Sequence, residues 1–195
     1  MFRCRPLRDN TDTLNPISRK GSQAMNKTVV IFGNSSKPDQ SRSLADEVAR
    51  EFGFKVLDLA DYDINQEIND PLIEVIENII HADTIIFATP VYCYSMSVRM
   101  KLFMDRLTDL VREDEELKTM LRGKRGLVLS TGTDTIAPKL FEQSFSLLLA
   151  YLGIEYSGML YRTRDTDFTP DQIRAFGDKA VTQTGSWTNA APSAA

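Results

Sequence analysis

Short β-branched apolar runs alternate along this chain with stretches whose apolar residues recur every three or four positions. That alternation restricts the possible folds more than any single motif does. Thr28 to Phe32 (TVVIF) reads as a buried strand closed by Gly33. Leu44, Val48 and Phe52 form a helical stripe ended by Gly53, and Phe54 to Leu59 gives a second strand. Pro71 opens a helix carried by Leu72, Val75, Ile76, Ile79 and Ile80, and Thr84 to Thr89 is a third strand stopped by Pro90. Met96, Met100, Phe103, Leu107 and Leu110 mark the next helix, followed by a charged, solvated stretch from Arg112 to Lys118. Gly126 to Ser130 is the fourth strand; Phe141, Phe145, Leu148 and Leu152 line a helix; Ile154 to Tyr161 is the fifth strand; a last helix runs from Pro170 to Val181. Five strands alternating with helices predict an α/β fold with a parallel sheet covered on both faces. The doubly wound order 2-1-3-4-5 fits five strands, and it places ligands beyond the carboxyl ends of strands one, three and four.

Composition removes several functions. The 195 residues carry a net charge of -4, a poor match to a nucleic-acid-coating surface, so no nucleic-acid partner is expected. Cys4 and Cys93 cannot build a disulfide framework or a metal knuckle, and the single histidine, His81, excludes multi-histidine metal sites. No apolar run reaches the ~18–20 residues of a membrane span. Residues 1–25 are basic and poor in apolar residues, with no secretory core. They are expected to be a disordered extension, with Met25 an alternative start just ahead of the first strand. Residues 26–184 form the expected domain, and residues 185–195, small and polar apart from Trp187, a flexible tail. A cytoplasmic location is expected.

The three rim loops hold the polar chemistry. The first, Gly33 to Leu44, offers Asn34, Ser35, Ser36, Gln40 and Ser41, with Lys37 and Arg42 adding charge. It runs into a helix N-terminus, where unpaired N–H groups favour an anion. Ser41 is the expected N-cap. The loop fits two readings, a phosphate cradle and an ordinary polar turn, and it is neither a P-loop nor GxGxxG. The second loop carries Pro90, Val91, Tyr92, Cys93, Tyr94 and Ser95, with Pro90 fixing the turn. Its tyrosines need cover, which a planar ring or a packed neighbour would provide. Cys93 has no histidine near in sequence to activate it as a nucleophile. In the third loop, Thr131 and Gly132 allow close approach of a ligand, or simply form a turn. A phosphate at the first loop and a flat heteroaromatic ring at the other two describe FMN.

The segment TPVYCYSMSVRMKLFMDR, Thr89 to Arg106, resembles the S/T-P-x-Y-x-x-S-x-x-x-x-x-K-x-F-x-D-R segment of the NAD(P)H-dependent FMN reductases through Pro90, Tyr92, Ser95, Lys101, Phe103, Asp105 and Arg106. The first loop is similar to that family's G-S-x-R-x-x-G-N-T-x-x-L at Gly33, Ser35, Ser41 and Leu44. It departs at Asn34, Ser36, where arginine is common, and Gln40. The resemblance covers Lys27 to Val181. It implies a flavodoxin-like three-layer sandwich with FMN as cofactor, and NAD(P)H as co-substrate delivering hydride to flavin N5. No side chain is then needed as a catalytic acid or base. Electrons pass on to a small-molecule acceptor such as a quinone, flavin, azo or nitro compound or ferric chelate. The resemblance also implies a homodimer closing the flavin site. The iron–sulfur members carry a cysteine cluster, which Cys93 alone does not supply. Lys101 and Asp105, an i,i+4 pair, are read as helix support, and Met96 and Met100 as core. A flavodoxin-type electron carrier, or a flavodoxin-like binding protein that has lost FMN, shares the same pattern. A signalling receiver domain does not, since it needs acidic residues where Gly33, Asn34, Thr89 and Pro90 stand.

Overall fold

The computed structural model describes residues 27–34, 40–65, 70–135, 138–163 and 166–182. The readings of residues 1–25 and 185–195 lie outside them. The elements in order are β1 (Thr28–Phe32), α1 (Gln40–Phe52), β2 (Lys55–Asp58), α2 (Asp70–Ile80), β3 (Thr84–Tyr92), β4 (Ser95–Met96), α3 (Val98–Glu113), α4 (Glu115–Leu121), β5 (Arg125–Gly132), α5 (Lys139–Tyr151), β6 (Glu155–Thr163) and α6 (Pro170–Val181). The sheet order is β2-β1-β3-β5-β6, parallel throughout, with the short β4 paired antiparallel to β3. This is the doubly wound order expected from the sequence.

The strands read as unbroken apolar runs because alternate residues serve two cores. On β1, Val29 and Ile31 face the layer of α2, α3, α4 and α5, while Val30 and Phe32 face α1 and α6. On β3, Ile85 and Phe87 divide from Ile86 and Ala88 in the same way. Each of these valine, isoleucine and phenylalanine side chains contributes roughly 1.5–3 kcal/mol by leaving water.

Helix ends away from the rim are held by named donors. Thr84 Oγ1 donates to the Ala180 carbonyl at 2.9 Å, and the buried Arg125 guanidinium donates to the Lys179 carbonyl at 2.7 Å. They satisfy the last carbonyls of α6 and place a cation at its negative end. Lys124 does the same for α2, donating to Ile80 O at 2.9 Å and to Ala82 O. Its burial pulls the ammonium pKa below the usual lysine value, against the attraction of Asp83.

Three expectations are refined. Arg112 to Lys118 is charged and mostly exposed, as expected, but it is helical apart from one junction residue: α3 runs to Glu113 and α4 starts at Glu115. Asp114 closes one helix and caps the next, its Oδ1 accepting from Glu116 and Leu117 N–H at 2.9 and 3.0 Å, while Leu117 and Leu121 are buried. Met96 lies in β4, not in the helix, although it is core as expected. The third strand does not stop at Pro90 but continues to Tyr92. Gly33 N–H donates to Ala88 O, so alternation turns the position of Pro90's missing N–H to the same side, past the end of β1. A proline there breaks no ladder bond.

Candidate functional site

The carboxyl ends of β1, β3 and β5 form one rim, and β3 rises above it as a hairpin. Val91 pairs with Met96 and Tyr92 with Ser95, leaving Cys93 and Tyr94 as a two-residue loop. Both have positive φ, 48° and 62°, the type I′ geometry that matches strand twist. The expected turn at Pro90 is therefore displaced to Cys93–Tyr94. The amides of these two residues lie outside the ladder. Cys93 is exposed, and so are the two tyrosines, Tyr94 by 63% and Tyr92 by 45%, so neither ring is covered by the cores of the described residues. The Tyr92 hydroxyl donates to Asn34 Oδ1 at 3.3 Å, tying the hairpin to the first loop. Val91 is half-buried against the core, and Ser95 is exposed.

Below the hairpin lies a buried polar hub that the sequence reading did not single out. Ser97 caps α3, its Oγ accepting from Met100 N–H at 3.2 Å, and the same hydroxyl donates to Gly33 O at 2.6 Å. Ser97 N–H in turn donates to Thr89 Oγ1 at 3.1 Å. Ser97 is 1% and Thr89 0% exposed. A Cβ on Gly33 would meet the Cβ, Cα and N of Met100 at 3.0–3.1 Å, so glycine lets β1 end this close to α3, and any side chain there would push the α3 backbone away by a few tenths of an ångström. The available signal was a serine directly ahead of the Met100/Phe103 periodicity, a helix-start pattern.

The first loop is only partly described: Asn34 is buried, while Ser35, Ser36 and Lys37 lie outside the described residues. Gln40 is the exposed first residue of α1, and its carbonyl accepts from Arg162 at 3.1 Å. Ser41 is not the N-cap. It sits inside the first turn, buried, its hydroxyl 2.5 Å from Thr131 Oγ1. This bond joins the first and third loops. Arg42 faces Asp46 and Asp58 in ion pairs and lies over the Phe32 ring, so it anchors α1 to the end of β2. Gly132 makes room for a side chain of this protein: a Cβ there would meet Tyr161 Oη at 2.4 Å. Tyr161 donates to Asp134 O, and burial raises its pKa.

His81 precedes β3 at the opposite end of a nine-residue strand, about 30 Å from Cys93. The two cannot form a nucleophile–base pair. Lys101 and Asp105 form the expected ion pair along α3, at 2.5 Å. Among the described residues no group of three or more His, Cys, Asp or Glu could hold a metal ion, and no helix is long and apolar enough to cross a membrane. The rim instead offers unladdered amides, buried hydroxyls, an amide side chain and exposed aromatic faces beside a helix N-terminus. That donor set suits a phosphate joined to a planar ring with a polar edge, which is the chemistry of FMN.

A doubly wound sheet with such a rim defines a flavodoxin-like protein. The profile of the NADPH-dependent FMN reductase family matches residues 26–156, two thirds of the chain, and the chain belongs to that family. It is an oxidoreductase with FMN as cofactor and a reduced nicotinamide as electron source. It is 26% identical over 150 residues, 68% of this chain and 82% of the relative, to Bacillus subtilis YwqN, whose name describes an NAD(P)H-dependent FMN-containing oxidoreductase. Two solved structures share the fold. The Trp repressor binding protein of Bacillus subtilis has a TM-score of 0.61 and 22% identity, over 82% of this chain and 100% of that one. The apo form of the NADH:FMN oxidoreductase EmoB has a TM-score of 0.63 and 19% identity, over 80% and 86%.

Proposed function

We propose that the protein takes hydride from NAD(P)H and hands the electrons to a small acceptor such as a quinone, flavin, azo or nitro compound or ferric chelate, working as a cytoplasmic homodimer. The observation that carries this reading is the β3–β4 hairpin, which lifts exposed aromatic faces and unladdered amides over a rim bound together by Ser97 and the Ser41–Thr131 pair. Bound FMN supplies hydride acceptance and two-electron transfer. The chain's own residues bind and orient. Asn34, Ser35, Ser36, Gln40 and Ser41, with the first-turn amides of α1, are assigned to the phosphate end. Pro90, Val91, Tyr92, Cys93, Tyr94 and Ser95 are assigned to the ring, Cys93 and Tyr94 through their main chain, and Thr131 and Gly132 to its polar edge. Backbone N–H groups of the hairpin turn stabilise negative charge there without reorganising. Val98, exposed by 81%, and Leu140, exposed by 68%, are apolar surface at the starts of α3 and α5, and a second copy would cover them.

Anaerobic stopped-flow mixing of FMN-loaded protein with NADPH and with NADH tests the activity. Bleaching of the flavin band at about 1 s⁻¹ or faster is expected, in the range of working enzymes. Bleaching orders of magnitude slower with both nicotinamides would instead fit a carrier that receives its electrons from another protein.

A further inference from the structure

Cys93 and Tyr94 are the two non-glycine residues with positive φ among the described residues, at 48° and 62°. A two-residue loop of this geometry is most easily made by Asn-Gly, because a Cβ in the left-handed region crowds the following carbonyl. An aromatic side chain has no short polar group to offset that crowding. Glycine at position 94 would therefore serve the hairpin better. Nor does tyrosine serve packing: it is 63% exposed and belongs to neither core cluster. Backbone strain retained at a rim, on a side chain outside both cores of the described residues, points to a task in recognition rather than in packing. The ring stands two residues beyond Tyr92, whose hydroxyl reaches Asn34 of the first loop.

We infer that Tyr94 selects the electron acceptor, presenting an aromatic face that favours flat conjugated molecules of the quinone class over compact ions. This rests on the function proposed above and narrows its substrate. Aromatic pairing of this kind corresponds to about 2–12-fold in affinity. A highly charged inorganic complex gains nothing from it.

The test uses the full chain loaded with FMN and compares the unsubstituted protein with Tyr94→Gly, Tyr94→Asn and Tyr94→Phe. For each, kcat/KM is measured for 2-methyl-1,4-naphthoquinone and for ferricyanide at saturating NADPH. In a double-displacement reaction these values read only the step from reduced enzyme to acceptor, so their ratio isolates acceptor selection. Tyr94→Gly and Tyr94→Asn are expected to lower the quinone-to-ferricyanide ratio about fivefold to tenfold, the size of one aromatic contact. Tyr94→Phe should keep it within about twofold, since the ring face is retained. Asparagine tolerates the left-handed region without an aromatic ring, so it separates loss of the ring from added flexibility. Tyr94→Gly should also raise the Tm by about 1–4 °C as crowding is relieved. A ratio that stays within twofold in Tyr94→Gly and Tyr94→Asn overturns the inference. So does a Tyr94→Phe variant as deficient as the glycine one, or a Tm that falls in Tyr94→Gly. If the unsubstituted chain binds no FMN, the proposed function fails and takes this with it; a flavin-loaded wild type with unmoved ratios sinks only the role of Tyr94.

Discussion

Replacing Ser97 by alanine is expected to lower stability by about 2–4 kcal/mol and to weaken FMN binding at least about tenfold. One buried hydroxyl makes two bonds at once, accepting from the first turn of α3 and donating to the Gly33 carbonyl. Alanine removes the helix cap, a loss of about 1 kcal/mol. It also leaves the Gly33 carbonyl without that donor in a site where Ser97 is 1% exposed, costing about 1–3 kcal/mol more. The affinity loss has a separate origin. Gly33 leads into the first loop, and Ser97 follows the hairpin, so this hydroxyl sets the two cofactor-facing segments relative to each other. Ser97 is thus a positioning residue. Urea unfolding gives the stability change and flavin fluorescence the affinity. Ser97→Thr, which keeps the hydroxyl, should recover most of the binding. A Ser97→Ala protein of reduced stability with unaltered FMN affinity would reduce Ser97 to a simple helix cap.

Gly177→Ala supplies the contrast, because its effect should be confined to stability. Gly177 lies inside α6, where alanine is ordinarily the better helix former by about 1 kcal/mol. Here a Cβ would fall 2.0 Å from Cε2 and 2.2 Å from Cζ of Phe52, whose ring stacks on Phe54 at 5.3 Å between centroids. The ring must move and break that stack, or α6 must lift from α1. Either outcome is overpacking, with a cost of about 1–3 kcal/mol. The site of substitution lies on the α1–α6 face, away from the hairpin. FMN affinity should stay within about twofold, the spread expected for sites without shared partners. A more stable Gly177→Ala protein would show that helix propensity outweighs the Phe52 contact. If both variants lost equal stability and equal affinity, cofactor binding would simply track global stability, and the special place given to Ser97 would be lost.

Periodicity exposed the layers of this protein but not the details of its rim. The runs TVVIF and TIIFAT announced central strands because both faces of the sheet are buried, and burial on both sides leaves an apolar signature in every residue. Pro90 concealed the last turn-ward residues of β3, since the acceptability of a proline depends on which neighbour its nitrogen faces. Arg112 to Lys118 is solvated, as its charges indicate, but the helix α4 within it was not legible, because it depends on Asp114 capping and on two leucines four residues apart. At the site, Tyr92, Asn34 and Thr131 were visible as residue types suited to a ligand rim. Their partners were not. Ser41 meets Thr131 across 90 positions and Ser97 meets Gly33 across 64, and no local pattern encodes such pairs. Gly132 was legible as a close-approach or turn position, but the ring of Tyr161 beside it, 29 residues later in the sequence, was not.

The most direct test of the rim is a fluorescence titration of the cofactor-free chain with FMN and, in parallel, with riboflavin, which has the ring without the phosphate. Quenching of FMN with a Kd near or below about 1 μM is expected, together with binding of riboflavin weaker by about 10–100-fold. That difference measures one or two charge-assisted bonds at the phosphate end of the site. Equal affinity for the two would remove the phosphate from the α1 terminus, and flat titrations with both would contradict flavin binding at this rim altogether.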